Sequence, residues 1–448
     1  MAELVYDETG RLLFTEEMRK EYKILIPMML PIHFDLLANI FTKYGYNVEV
    51  LKTTGKNIVD EGLKNVHNDT CYPALLVIGQ LIDAIKSGKY DVNKIALMIS
   101  QTGGGCRASN YIHLLRKALK KNNLEHIPVV SLNVSSMEKN PGFKLTPSLS
   151  ADLAVAVCYG DMLMSLANQT RPYEINKGET ENLIRYYIKE LCENGLSFAK
   201  YKKYLRKIAQ DFAAIPANRV PKVKVGIVGE IYVKYAPLGN NSLENFLYNE
   251  DVEVIVPGLL DFLMFMSDHH AADTRSFNIN KKKGYLSAIA ESLMKRLQRM
   301  QIRAVKGTCF TPQCEFEHKK SLIAGYVGES NKMGEGWLLT AEMLELIDSG
   351  VENIICTQPF GCLPNHIVGK GMIRKIRTEH ENANIVAIDY DPGATRVNQE
   401  NRIRLMLAIA KKRLNKDMPP PSKQDYKLPK QVGEQIDNEE QMGALIQN

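Results

Sequence analysis

The sequence predicts an α/β protein made of two flavodoxin-like, doubly wound parallel-sheet domains related by an internal repeat, plus a helical region. Three observations carry this. Residues 95–111, IALMISQTGGGCRASNY, read as a buried strand, a glycine turn and a helix start, and residues 351–366, VENIICTQPFGCLPNH, repeat the device. Before each strand a helical pattern closes on Ser-Gly, in DAIKSGKYDVNKIALMIS and ELIDSGVENIICT, and after each a further strand follows at nearly the same distance. At 448 residues the chain exceeds one ordinary core.

Taken in order, residues 22–51 read as a strand, a proline-bounded loop, an amphipathic helix stopped at Gly45 and a second strand, which is one βαβ unit. Asn68, Asp69 and Thr70 are N-cap types and Pro73 suits a first helical turn, so Cys71 is expected at a helix N-terminus. The strand at 95–100, the Cys106 loop, a helix through about Lys121 and the strand at 127–133 complete an N-terminal domain, 1–146. Helical spacing fills 147–221, with Gly195 and Pro216 as breaks. The α/β grammar restarts at Val223 with VKVGIVGEIYVKY, continues through the strand at 252–258, helices from about Leu259 to Met300 and a loop holding Cys309 and Cys314, and closes with NIVAIDYD at 384–391. That defines a C-terminal domain at 222–414. The segment 415–448, with Pro419, Pro420 and Pro421 and a polar end, is expected to be a flexible tail or partner-docking arm.

A hydrophobic fraction of 45% and a charged fraction of 24% are ordinary for a water-soluble chain, and no uninterrupted apolar run reaches the roughly 18–20 residues of a bilayer span. The start, MAELVYDETG, lacks the features of a signal peptide, so a cytoplasmic location is expected. The net charge of +6 sits in segments such as KYKKYLRK (200–207) and NKKKGY (280–285), without the aromatic interleaving of a nucleic-acid surface. They read as solvated helix faces.

Eight cysteines in a reducing compartment point to metal or redox chemistry instead of disulfides. Cys71, Cys106, Cys309, Cys314, Cys356 and Cys362 fall in loops or at helix starts, whereas Cys158 and Cys192 fall inside helical patterns and read as small buried hydrophobes. Structural zinc favours closely paired cysteines, but five residues separate Cys356 from Cys362, and Cys71 lies far from Cys106. Soft thiolates without nearby histidines fit iron–sulfur clusters better. Six at one interface suffice for two four-iron cubanes with three protein ligands each. Helix N-termini favour an anionic cluster. The glycines 103–105, including Gly104 and Gly105, and the Pro-Phe-Gly turn with Gly361 open the backbone to it. Gln101 and Gln358 are expected beside it as hydrogen-bond donors. His366 and Glu329 are carried as proton donors, ahead of Glu317 and His318.

The stretches NDTCYPALLVIGQLIDAIKSGKYD, SQTGGGCRASNYIHLLRKAL, GEGWLLTAEM, QPFGCLPNHIVGKGMIRKIR and IDYDPGATRVNQENRIRLML resemble the 2-hydroxyacyl-CoA dehydratase superfamily. Within it they are most similar to the double-cubane cluster proteins and the cluster-bearing part of activase-related fusion proteins. The resemblance spans about residues 22–410. It implies a low-potential iron–sulfur cofactor, a separate ATP-hydrolysing activator and a homodimer. The primary expectation is a reductase acting on a small unsaturated substrate at a double cubane in which two four-iron units share a bridging sulfide. The alternatives are a dehydratase subunit with one four-iron cubane, and a non-catalytic electron carrier or scaffold. ATP is assigned to the partner, because this chain has no P-loop lysine motif.

Overall fold

The computed structural model describes residues 2–414 apart from Asn68 and positions 102–103, 134–137, 197 and 280. The expected tail, the Asn68 cap and the first glycine of the 103–105 turn lie outside the described residues. The β-branched runs form β1 (Lys23–Pro27), β2 (Asn47–Leu51), β3 (Ile95–Ser100) and β4 (Val129–Leu132), all parallel, in the order β2-β1-β3-β4. The second half repeats the topology with β5 (Lys224–Gly229), β6 (Glu253–Ile255), β7 (Asn353–Pro359) and β8 (Asn384–Tyr390), ordered β6-β5-β7-β8. These are two four-stranded parallel sheets of flavodoxin-like order.

That order puts a topological switch between β1 and β3 in one half and between β5 and β7 in the other. Connections on either side of a switch leave in opposite directions and open a crevice at the carboxyl ends of the strands. The chain segments leaving β3, β5 and β7 carry Cys106, Glu230 and Cys362.

The helices that precede β3 and β7 are central. Tyr72–Lys86 buries residues on every face, as does Trp337–Asp348, because each packs against its sheet on one side and other helices on the remaining sides. One apolar core runs through both halves.

The helix Pro147–Thr170 joins the two halves. By length and composition it is apolar enough to cross a bilayer, although Asp152 and Asp161 interrupt the run in the sequence. It is mostly buried, packed by the helices Pro31–Lys43, Phe198–Ala213, Leu259–Phe277 and Lys281–Val305. Its one deeply buried carboxylate, Asp161, accepts from the backbone N–H of Leu259 at 2.7 Å and Leu260 at 2.9 Å, capping the helix Leu259–Phe277. The same carboxylate meets His33 Nε2 at 2.8 Å, on the helix Pro31–Lys43. One side chain thus ties elements of both halves to the connecting helix.

Candidate functional site

Three cysteines are delivered by chain segments that the two switch points bring together. Cys71 is the N-cap of Tyr72–Lys86, with Pro73 in its first turn, and Cys106 precedes the short 3-10 turn Arg107–Asn110. Arg107 latches their loops: its Nη1 donates to the Asp69 carbonyl at 2.7 Å and to that of Thr70. Cys362 closes a turn at the end of β7, where its N–H donates to the Pro359 carbonyl at 3.1 Å and Gly361 takes a φ of +74° that only glycine adopts without strain. A π-helical turn, Asn365–Gly369, follows and aims Asn365 inward. Gly105 packs against Met333, where an added Cβ would lie 2.4 Å from Sδ. The Cys106 loop of one half therefore touches the segment of the other that leads to Glu335.

Glu230 and Glu335 form the acidic floor of the site. Burial pushes Cys71 up to about 12, helped by Glu230 and Cys106, and it raises Cys106 and Cys362, with Glu335 and then Glu230 adding to both. All three thiols therefore lie within electrostatic reach of one carboxylate, Glu230. Glu230 itself is raised to about 8 by burial and then by Glu335, and burial raises Glu335. Lys234, whose charge reaches both carboxylates, is ion-paired with Glu342 at 2.9 Å.

Each sulfur also faces N–H or O–H donors. The Tyr111 hydroxyl donates to Cys71 Sγ at 3.1 Å and Asn365 Nδ2 donates to Cys362 Sγ at 3.3 Å, while the Arg107 and Ala108 amides face Cys106. Neutral thiols need no such array; thiolates do.

The remaining cysteines of the expected set are elsewhere. Cys356 is inside β7, not in the loop, because β5 and β8 flank it on both sides and extend the strand to Pro359. Its side chain is fully buried in an apolar cluster with Val228, Ile354 and Ala387. Cys314 lines a cavity that runs along the edge strand β6, from Glu253 to Gly258, and burial and Glu345 push it up to about 12. Exposed Cys309 is in the same loop. Cys71, Cys106 and Cys362 share Glu230 as a charged neighbour, whereas Cys314 faces Glu345 and Asp261 and Cys356 faces Asp389 and Glu342, so the expected six fall in different surroundings. Cys158 is fully buried and Cys192 half-buried against the core.

Gln101 and Gln358 have protein partners. Gln101 Nε2 donates to the Ser109 carbonyl at 3.0 Å and its Oε1 accepts from Ser131 at 2.8 Å, so it braces the Cys106 loop against β4. Gln358 Nε2 donates to Asp389 on β8 at 2.5 Å. Neither amide hydrogen bond is to a sulfur. Gly104 faces open space. Glu329 is 51% exposed and pairs with Lys320 at 2.9 Å, whereas His366 folds back on the Cys362 turn and accepts the Gly361 N–H at 3.2 Å. Glu317 pairs with Lys295, and His318 with Asp348 at 2.8 Å.

Residues 23–95, which carry β1, β2 and Cys71, match the family model described as the CoA enzyme activase uncharacterised domain. The match supports the 2-hydroxyacyl-CoA dehydratase and activase superfamily. It marks an enzyme-related chain and leaves the cluster type open. No curated protein matches the chain. The donor set tests the fit of an iron–sulfur group. Among the described residues no three His, Cys, Asp or Glu side chains converge closely enough to hold a single metal ion. Three half-buried thiols spread around an acidic pair, each with sulfur-directed donors, fit a multi-iron group better.

Proposed function

We propose that this chain is the iron–sulfur component of an ATP-driven, low-potential reduction system, with one four-iron cubane held by Cys71, Cys106 and Cys362. The observation that carries the reading is the assembly of these three thiols, from both halves, around Glu230. A double cubane needs the thiols of Cys309, Cys314 and Cys356 as well, and Cys314 and Cys356 have charged neighbours other than Glu230 and Glu335. When bound, the cubane supplies one-electron reduction of a small unsaturated substrate or acyl thioester.

The chain's own residues hold and tune it. Thiols that burial keeps protonated would release their protons to solvent on binding iron, leaving thiolates to hold it. Tyr111 and Asn365 donate to ligand sulfurs and so stabilise the more negative, reduced state. His366 uses Nε2 as an acceptor, so the neutral ring carries its proton on Nδ1, available at the rim of the Cys362 loop. Phe360 and Leu363, 68% and 69% exposed, surround that loop with apolar surface, which an activator would cover as electrons enter.

Two results are expected. Tyr111→Phe keeps its iron and its packing but becomes harder to reduce, by about 40 mV for each kcal/mol of lost sulfur hydrogen bond; a redox titration followed by EPR reads the shift. The anaerobically loaded chain is reduced rapidly only with an ATP-hydrolysing activator and MgATP present. Equal rates with a low-potential ferredoxin alone would count against the gated supply of electrons.

A further inference from the structure

The site has three thiols but four positions related by the internal repeat. In the first half, one donor precedes the helix before β3 (Cys71) and one follows β3 (Cys106). In the second half, Cys362 follows β7, and the segment before the helix Trp337–Asp348 carries Glu335. Glu335 is 7% exposed. One amide group touches both second-half residues: Asn365 Nδ2 donates to Glu335 Oε2 at 3.2 Å and to Cys362 Sγ at 3.3 Å. The carboxylate oxygen and the sulfur are thus no more than about 6.5 Å apart, a separation that neighbouring ligands of one cubane span. The other carboxylate oxygen accepts the Ile231 N–H at 3.0 Å, which fixes the orientation of the group.

We propose that Glu335 is the fourth protein ligand of the cluster, so that each half supplies two donors and the set is three thiolates and one carboxylate. This rests on the iron–sulfur reading above. A carboxylate with one hydrogen bond to each oxygen keeps lone pairs for a metal, and binding iron gives this buried group a cationic partner. Glu230 follows β5, outside the four repeat-related positions, and its Oε2 caps the helix Ile231–Tyr235 by accepting the Val233 N–H at 2.8 Å. A carboxylate is also the weakest-held ligand of the four, so the iron it covers is the one that a substrate oxygen would take over.

The test uses the full chain loaded anaerobically with ferrous iron and sulfide. Glu335→Gln has nearly the same shape and keeps one of the two acceptor oxygens. It is expected to hold three or four irons and to show an altered reduced-state EPR spectrum. Added 2-mercaptoethanol should change that spectrum at a concentration at least tenfold lower than in the unmodified chain, because the uncovered iron takes the thiol. Glu230→Gln should titrate with the thiol like the unmodified chain. The proposal is overturned if Glu335→Gln and the unmodified chain give the same spectrum and the same thiol titration, or if Glu230→Gln is the variant that opens the iron. Failure of the unmodified chain to bind iron and sulfide would instead overturn the iron–sulfur reading itself.

Discussion

Cys71→Ser, Cys106→Ser and Cys362→Ser are each expected to remove most of the bound iron, whereas Cys309→Ser, Cys314→Ser and Cys356→Ser leave it unchanged. A serine hydroxyl is a hard, weakly acidic donor, and each of the first three sits where a thiolate has dedicated hydrogen-bond donors. Cys356→Ser has a different cost: a hydroxyl placed among Val228, Ile354 and Ala387 loses about 1–3 kcal/mol of stability without touching the site. Iron assay beside a denaturation curve separates the two effects. If Cys314→Ser emptied the site while Cys106→Ser did not, the three-cysteine assignment would fall.

The second large effect is structural. Asp161→Ala is expected to destabilise the protein by about 3–5 kcal/mol, because it leaves His33 and two helix N–H groups without their acceptor in a region with no access to water. Asp161→Asn keeps one acceptor oxygen and should lose about half as much. Since Asp161 joins the connecting helix to both halves, the alanine variant should also hold iron less firmly, the donors from the two halves losing their fixed spacing. Chemical denaturation of the apoprotein reads the first effect, and iron release to a chelator reads the second. A loss below about 1 kcal/mol would show that the joint is held by apolar packing alone.

Much of this architecture was legible in the residues. The β-branched runs, the Ser-Gly stops and the matching Gln-to-Cys loops predicted two parallel sheets of the same order, and Pro73 with its preceding cap residues placed Cys71 at a helix start. The failures share a cause. Cys356 looked like a loop residue because Cys-Thr-Gln carries little strand character, and only pairing with β5 and β8, more than a hundred and about thirty residues away, extends the strand through it. Cys309 and Cys314 have ligand-like spacing, but the loop that follows the helix Lys281–Val305 lies beside the edge strand β6. Glu230 and Glu335 were missed because a glutamate beside glycine reads locally as a cap or a surface group, and Tyr111 because a helical tyrosine reads as core. What brings them together is packing between segments far apart in sequence. The glycines around Glu335, in GEGW, were the one available signal.

Counting iron and inorganic sulfide in the anaerobically purified or reconstituted chain tests the central claim most directly. One cubane on three cysteines and a carboxylate predicts about four irons and about four sulfides per chain, falling together in Cys106→Ser. About eight irons that survive in Cys309→Ser and vanish only when Cys314 or Cys356 is also changed, or no iron at all, would contradict the account.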